Sequence, residues 1–424
     1  MKLLEKKYLL PFILVTCCFA LWGFANDITN PMVKAFSKIF RMSVTDGALV
    51  QLAFYGGYFC MALPAALFVR RFSYKAGLLM GLGLYAVGAL MFIPSKAMGS
   101  YYPFLVAYFI LTCGLSFLET TANPYILSLG DKDTATRRLN LAQAFNPIGS
   151  LAGMFVAMQF IQARLNPLST EERALLDQQQ FETLKNADLT VLCRPYVVIG
   201  LVLVAFFLVI LIFVKTVKKD PDKGFDSHFG ATVRRLWQNK PYRFGVMAQF
   251  FYVGAQITCW TFIIQYGTKV FMAEGMAEQA AEILSQRLNI IAMVLFCGSR
   301  FICTWLLKWF KPSKMLAFFA FVAMLLMLVV IIVGGRVGVY SLVAVSACMS
   351  LMFPTIYGVA LKDVGHDAEI GSAGLIMAIL GGSLLPPLQA MIIDTGHVAL
   401  SFIVPLTCFL VVFLYGLLNK DKQT

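Results

Sequence analysis

Long apolar runs recur along the whole chain and are separated by short polar turns. About 20 consecutive apolar residues, wound as a helix, cross the hydrocarbon core of a bilayer. Twelve such runs are predicted, at about 8–33, 46–69, 76–94, 102–127, 139–161, 195–214, 242–266, 281–307, 315–334, 337–361, 370–393 and 398–418. The pattern predicts an all-α polytopic membrane protein. Lys2, Lys6 and Lys7 precede the first run as they would in a signal peptide. That run is longer than the ~7–15 apolar residues of a signal sequence, so it reads as a retained span.

Composition agrees with this pattern. Of 424 residues, 59% are hydrophobic and 13% charged, against about 25% charged in a soluble domain. The net charge of +13 does not point to nucleic acid, because the basic residues sit in short loops between spans. With the N-terminus placed inside, 23 of the 35 Lys and Arg residues fall in inner loops and 11 in outer ones. Basic loops stay on the cytoplasmic side, which places both termini in the cytoplasm. The ten cysteines lie mostly inside apolar runs and form no C-x-x-C pair. They read as small buried hydrophobes. His228, His366 and His397 are not at metal-ligand spacing. The outer loop 162–194 is charged, and reads as a solvated amphipathic or irregular loop without a catalytic grouping.

The basic stretch 215–241 divides the chain near its midpoint, giving an N-terminal six-helix half at 1–214 and a C-terminal half at 242–424. The halves echo each other. Arg70-Arg71-Phe72-Ser73-Tyr74-Lys75 follows span 2, and Lys308-Trp309-Phe310-Lys311-Pro312-Ser313-Lys314 follows span 8. Gly130-Asp131 ends span 4, and Gly365-His366-Asp367 ends span 10. Twelve spans, a central basic loop and repeated halves point to a six-plus-six transporter.

Polar residues inside the spans carry the chemistry. Glu119 lies mid-span, and a charge at that depth costs ~2.5–3.5 kcal/mol on insertion scales. Such a group is kept facing protein or water. A carboxyl out of water favours its neutral, protonated form, so Glu119 is a group that can carry a proton. Asn123 lies four residues on, along the same helix face. In span 1, Asp27 and Asn30 share a face near the outer end, where Asp27 reads either as a solvated helix end or as a carboxylate at the mouth of a cavity. In span 5, Gln143 and Asn146 are three apart, and each amide offers both donors and acceptors to a hydroxyl. Interhelical hydrogen bonding is the other reading of each amide. Span 7 carries Gln249, Tyr252, Gln256 and Trp260 on one stripe. Amides can read sugar hydroxyls while aromatic faces pack on ring C–H groups, although Tyr252 is equally a core residue. In span 8, Arg300 must pair or snorkel, and a gating contact near the inner side fits it. The Gly and Pro residues of spans 10 and 11 read as packing and hinge positions. No G-x-x-x-x-G-K-[ST] loop or metal motif is present. No cofactor is expected, and the protein is not expected to be an enzyme.

The runs Phe19-Ala20-Leu21-Trp22-Gly23-Phe24-Ala25-Asn26, Leu118-Glu119-Thr120-Thr121-Ala122-Asn123-Pro124, Arg138-Leu139-Asn140-Leu141-Ala142-Gln143-Ala144-Phe145-Asn146 and Gln249-Phe250-Phe251-Tyr252-Val253-Gly254-Ala255-Gln256 resemble the bacterial L-fucose:proton symporters of the major facilitator superfamily. The resemblance covers nearly the whole chain. It implies alternating access by rocking of two six-helix halves. It also implies import of L-fucose, or of glucose and galactose in sister branches, coupled to protons through membrane carboxylates. Glu119 stands at the family's span 4 glutamate, and Gln143 and Asn146 at its span 5 sugar-binding amides. Span 1 departs from the family's Asn-x-x-Asp pattern, because this chain reads Asp27-x-x-Asn30. The superfamily's Asp-Arg-x-Gly signature after span 2 is also degenerate, as Val69-Arg70-Arg71-Phe72-Ser73-Tyr74-Lys75. The expectation is a monomeric, bilayer-embedded, proton-coupled importer of L-fucose or a related hexose. A uniporter or sodium-coupled sugar carrier is the nearest alternative, and a non-transporting nutrient sensor a distant one.

Overall fold

The computed structural model describes residues 3–29, 32–42, 49–168, 170–214 and 229–419. Asn30 and the stretch 215–228 of the central basic segment lie outside the described residues. Helices account for nearly all regular structure, and there is no strand among the described residues. Twelve helical stretches are long and apolar enough to cross a membrane: Lys6–Thr29, Ala53–Arg71, Tyr74–Met98, Tyr102–Ser128, Lys132–Ile161, Gln178–Phe213, Lys240–Ala273, Ala280–Leu306, Pro312–Ile332, Gly335–Leu361, Gly365–Asp394 and Leu400–Leu418. They are numbered spans 1 to 12 in that order. Each falls on one of the twelve apolar runs, so this is a multi-pass helical membrane protein.

The chain divides into two compact units. One comprises Leu9–Tyr125 and Phe145–Ser227. The other comprises Met1–Tyr8, Ile126–Ala144 and His228–Thr424. The C-terminal end of span 4 and the first half of span 5 therefore belong with the C-terminal spans, and the chain passes between units inside spans 4 and 5.

In the first unit, glycines set how closely span 5 approaches span 1. The helix Asn146–Val156 carries Gly149 and Gly153 one turn apart. A Cβ at Gly149 would meet the Ala20 carbonyl oxygen at 1.8 Å, and one at Gly153 would meet that of Phe24 at 2.4 Å. Gly23 on span 1 answers them, since its Cβ would lie 2.1 Å from the Asn146 carbonyl oxygen. Small residues at such spacing let helix backbones touch in a membrane, where packing rather than hydrophobic exclusion drives association.

The loop 162–194 is not the solvated loop its charges suggest. Span 6 begins at Gln178, capped by the Asp177 carboxylate accepting from the Gln180 N–H at 2.8 Å, and runs unbroken to Phe213. Arg173 is fully buried and pairs with Asp188 of this helix at 2.6 Å. The same guanidinium donates to the carbonyls of Leu168 and Asn166, each at 3.1 Å. Asp188 in turn accepts from the Asn166 N–H at 2.9 Å, and Lys38 donates to the Asn166 carbonyl at 2.7 Å. These charges are there to fold the loop.

In the second unit, the described part of the central segment forms the helix Phe229–Gln238 with Thr232 and Leu236 buried. Arg235 docks it by a two-pronged bond to Asp367, at 2.8 and 3.0 Å, where span 11 begins.

Breaking a buried pair by removing one partner leaves the other charge uncompensated, at a cost of about 3–5 kcal/mol. Arg173→Met should therefore lower the thermal midpoint in detergent sharply. The double substitution Arg173→Met with Asp188→Leu should recover much of the loss.

Candidate functional site

Glu119 lies buried in span 4. The Tyr58 hydroxyl from span 2 lies beside its carboxyl, close enough to interact with it, and among the described residues Glu119 makes no ion pair. Tyr58 was not singled out in the sequence, although Tyr55 and Tyr58 repeat at a three-residue interval that places them on one face of span 2. Ser116, three residues before Glu119, donates to the Tyr58 carbonyl at 3.1 Å. Spans 2 and 4 are thus tied at this level, and the close approach of Gly57 to Thr112 completes the contact.

Asn123 is wholly buried, and its amide donates to the Glu119 carbonyl at 3.0 Å. Its N–H group therefore serves the helix turn that carries Glu119. Asp27 is half-buried on span 1, with Tyr55 close enough to feel its charge. Nearby, the Asn26 side-chain oxygen is buried with no hydrogen-bond partner among the described residues. Asn146 is half-buried and donates to the Phe19 carbonyl at 3.2 Å, so the close approach of spans 1 and 5 fixes its position. The first unit thus holds Glu119, Tyr58, Asn123, Asp27 and Asn146 on spans 1, 2, 4 and 5.

Gln143 and Asn146 stand on either side of a break in span 5. The helix Ala135–Gln143 ends at Ala144, and the next begins at Asn146 with Pro147 in its first turn. Gln143 is buried and belongs to the second unit. There it adjoins Arg300, which lies in span 8 and is also buried. Arg300 donates to the Gln143 carbonyl at 2.9 Å and to the Ser350 carbonyl, and its guanidinium sits 4.6 Å from the Phe296 ring centroid. No carboxylate pairs with it among the described residues.

The span 7 stripe divides along its length. Gln249 and Tyr252 are completely buried, whereas Gln256 and Trp260 are half-exposed. The Tyr252 hydroxyl donates to the Met349 carbonyl at 2.9 Å, tying span 7 to span 10. Both polar atoms of the Gln249 amide are buried without a hydrogen-bond partner among the described residues. The Trp260 indole donates to Ser346 at 3.2 Å and meets Phe296 edge-on at 4.9 Å. Among the described residues no group of His, Cys, Asp and Glu is arranged to hold a metal ion.

Comparison with known proteins follows the same lines. The model of the Major Facilitator Superfamily matches residues 15–386. The chain is 51% identical to the L-fucose-proton symporter of Haemophilus influenzae, over 98% of this chain and 97% of that protein. It is 34% identical to the L-fucose-proton symporter of Escherichia coli, over 99% and 95% of the two chains. Among solved structures it is similar to that of FucP, a Major Facilitator Superfamily transporter in the outward conformation. The TM-score is 0.87 and the identity 33%, over 99% of this chain and 100% of that one.

Losing a buried hydrogen bond and stranding its acceptor costs about 1–3 kcal/mol. Tyr252→Phe should lower the detergent melting midpoint by a matching amount through the stranded Met349 carbonyl. An unshifted midpoint would mean that this bond does not hold span 7 to span 10.

Proposed function

We propose that this chain, which belongs to the L-fucose–proton symporter family of the Major Facilitator Superfamily, imports L-fucose or a closely related hexose together with a proton by alternating access. It is a transporter and not an enzyme. The observation that carries the coupling is Glu119: a buried carboxyl, mid-span, with a neutral phenol beside it and, among the described residues, no cation. A carboxyl without a counter-charge can take up a proton and give it back as water reaches it from one side or the other. Protonation from the outer side, closure around the sugar, and proton release when the inner side opens then form one cycle. Tyr58 is assigned the role of holding the carboxyl in position through both states. Asp27 is assigned as the second carboxylate, at the outer end of span 1.

Sugar reading is assigned to the amides. Gln143 and Asn146 stand at the helix break, Asn123 on span 4, and Gln249 and Gln256 on span 7, with Tyr252 and Trp260 as the aromatic faces; Asn30, outside the described residues, is assigned with them from its place in the sequence. The half-exposed Gln256 and Trp260 suit direct contact, and the buried Gln249 and Tyr252 suit support behind it. Arg300 is assigned to gating. The rocking bodies are proposed to be the halves 1–214 and 242–424 joined by 215–241. The chain is proposed to work as a monomer in a bacterial inner membrane, with both termini in the cytoplasm. Import of glucose or galactose remains the alternative for the sugar, because an amide set alone does not name a hexose.

Adding L-fucose to de-energised proteoliposomes or cells should alkalinise the outer medium, which neither a uniporter nor a sodium-coupled carrier would do. Glu119→Gln should abolish accumulation driven by a pH gradient while sugar counterflow survives. Uptake that kept its full pH dependence in this variant would remove Glu119 from the coupling step. Asn146→Ala and Gln143→Ala should each weaken sugar affinity by about tenfold, as expected for one lost hydrogen bond to a buried ligand, read by calorimetry in detergent.

A further inference from the structure

In an α-helix each carbonyl accepts from the N–H four residues on. The donor for the Gln143 carbonyl would be residue 147, and the donor for the Ser350 carbonyl would be residue 354. Both are prolines, Pro147 and Pro354, and proline has no N–H. Each proline therefore breaks its span. Span 5 stops at Gln143 and restarts at Asn146. Span 10 stops at Met349 and restarts at Met352. The two carbonyls orphaned in this way are the two that Arg300 takes: its Nε donates to Ser350 and its Nη1 to Gln143. The guanidinium thus sits at the negative ends of two helices at once, which is how a cation is held here without a carboxylate.

The rest of the seam is built around this contact. Arg137 donates to the Thr304 carbonyl at 3.3 Å, and the Asn140 amide donates to Thr355 at 3.2 Å. Gly358 lets span 10 approach the start of span 5, since a Cβ there would lie 2.6 Å from the Thr136 hydroxyl. Cys303 is buried beside it, within reach of Ser299 and Ser350. All of these residues belong to one unit, and the seam joins the segment Ile126–Ala144 to spans 8 and 10.

We propose that Arg300 is a positioning residue that clamps the two proline-orphaned carbonyls. By holding the Gln143 backbone it sets the amide assigned to the sugar and keeps this seam shut, and its release from the two carbonyls is the step that frees the Ile126–Ala144 segment to separate from spans 8 and 10. This rests on the reading of the chain as an alternating-access sugar carrier and adds the contact that links sugar reading to opening of the seam.

The test uses a full-length chain retaining Cys303 as its one cysteine, in detergent and in proteoliposomes. Arg300→Gln loses the guanidinium fork. It should raise the rate of Cys303 alkylation and weaken sugar affinity, each by about tenfold, the size expected for charged hydrogen bonds lost from a buried site. Arg300→Lys, which keeps the charge but reaches one carbonyl at a time, should recover part of both. In a chain carrying Pro147→Ala and Pro354→Ala, the carbonyls regain their own donors, and the effect of Arg300→Gln should shrink to about twofold or less. Unchanged alkylation and affinity in Arg300→Gln, or an equal loss with and without the prolines, would overturn the proposal. Should Arg300→Gln fail to fold, the thermal midpoint decides: recovery of a folded chain on removing the prolines supports the clamp, and no recovery refutes it. Alkylation needs no sugar. A wild-type chain that showed no L-fucose counterflow would therefore revise the substrate and leave the clamp measurable.

Discussion

A backbone carbonyl at membrane depth has no water to turn to, and that constraint organises most of this molecule. Helices meet it by internal bonding, so the chain is helix almost throughout. Wherever a proline removes a donor, something else must supply one. Span 5 and span 10 both break at such points, and one arginine serves both. An isolated charge in a span costs ~2.5–3.5 kcal/mol. Cations at helix C-termini gain ~0.3–1 kcal/mol each in exposed settings and up to ~2 when partly buried. Two such termini with two charged hydrogen bonds offset a cost that neither would meet alone. The cation and the carbonyls answer each other's deficits.

Glu119 presents the opposite case. Among the described residues nothing cationic meets it, and its neighbour is a tyrosine hydroxyl. A carboxylate kept without a counter-charge ties its ionisation to whether water reaches it. Replacing Tyr58 in that position by an arginine would fix the charge and remove the variable. The two buried ionisable groups are therefore met differently: Arg300 by the carbonyls at two helix ends, and Glu119 by a neutral hydroxyl.

What could be read from the sequence follows the range of the forces involved. The number and order of the spans were legible, because crossing a bilayer imposes a run length that hydropathy reveals directly, but their ends were not: span 6 begins at Gln178 rather than near 195. The loop 162–194 was not legible either. Its helix continues through Glu182, Lys185 and Asp188, and the residues that order it, Arg173 and Asp188, look like any solvated pair until they are brought together. The assigned amides were visible as residue types, but their environments were not: the span 7 stripe has ideal helical spacing, yet neighbouring spans close over Gln249 and Tyr252 and leave Gln256 and Trp260 half-open. Tyr58 was hidden by its chemistry, since a tyrosine in an aromatic-rich span carries no signal until a carboxyl is found beside it.

Arg300 marks the limit most clearly. Among the described residues it has no counter-ion, and the backbone carbonyls that take its place leave no trace in residue identity. The trace lies four positions downstream, in the prolines that fail to donate. Gln143 with Pro147, and Ser350 with Pro354, form the same i, i+4 pairing in two spans of different halves. That repeat is legible once a buried cation is known to need acceptors. An intramembrane arginine without an acidic partner is therefore a reason to look four residues before each proline in the neighbouring spans. Acceptors supplied in this way have a consequence that a carboxylate would not. A salt bridge would hold the seam by charge alone and persist through small shifts. A carbonyl at a helix end accepts best near its lone-pair directions, so rotation of either segment weakens its hold on the guanidinium. The same breaks that create the acceptors also give the segments freedom to rotate, which is why a clamp of this kind suits a seam that must open on every transport cycle.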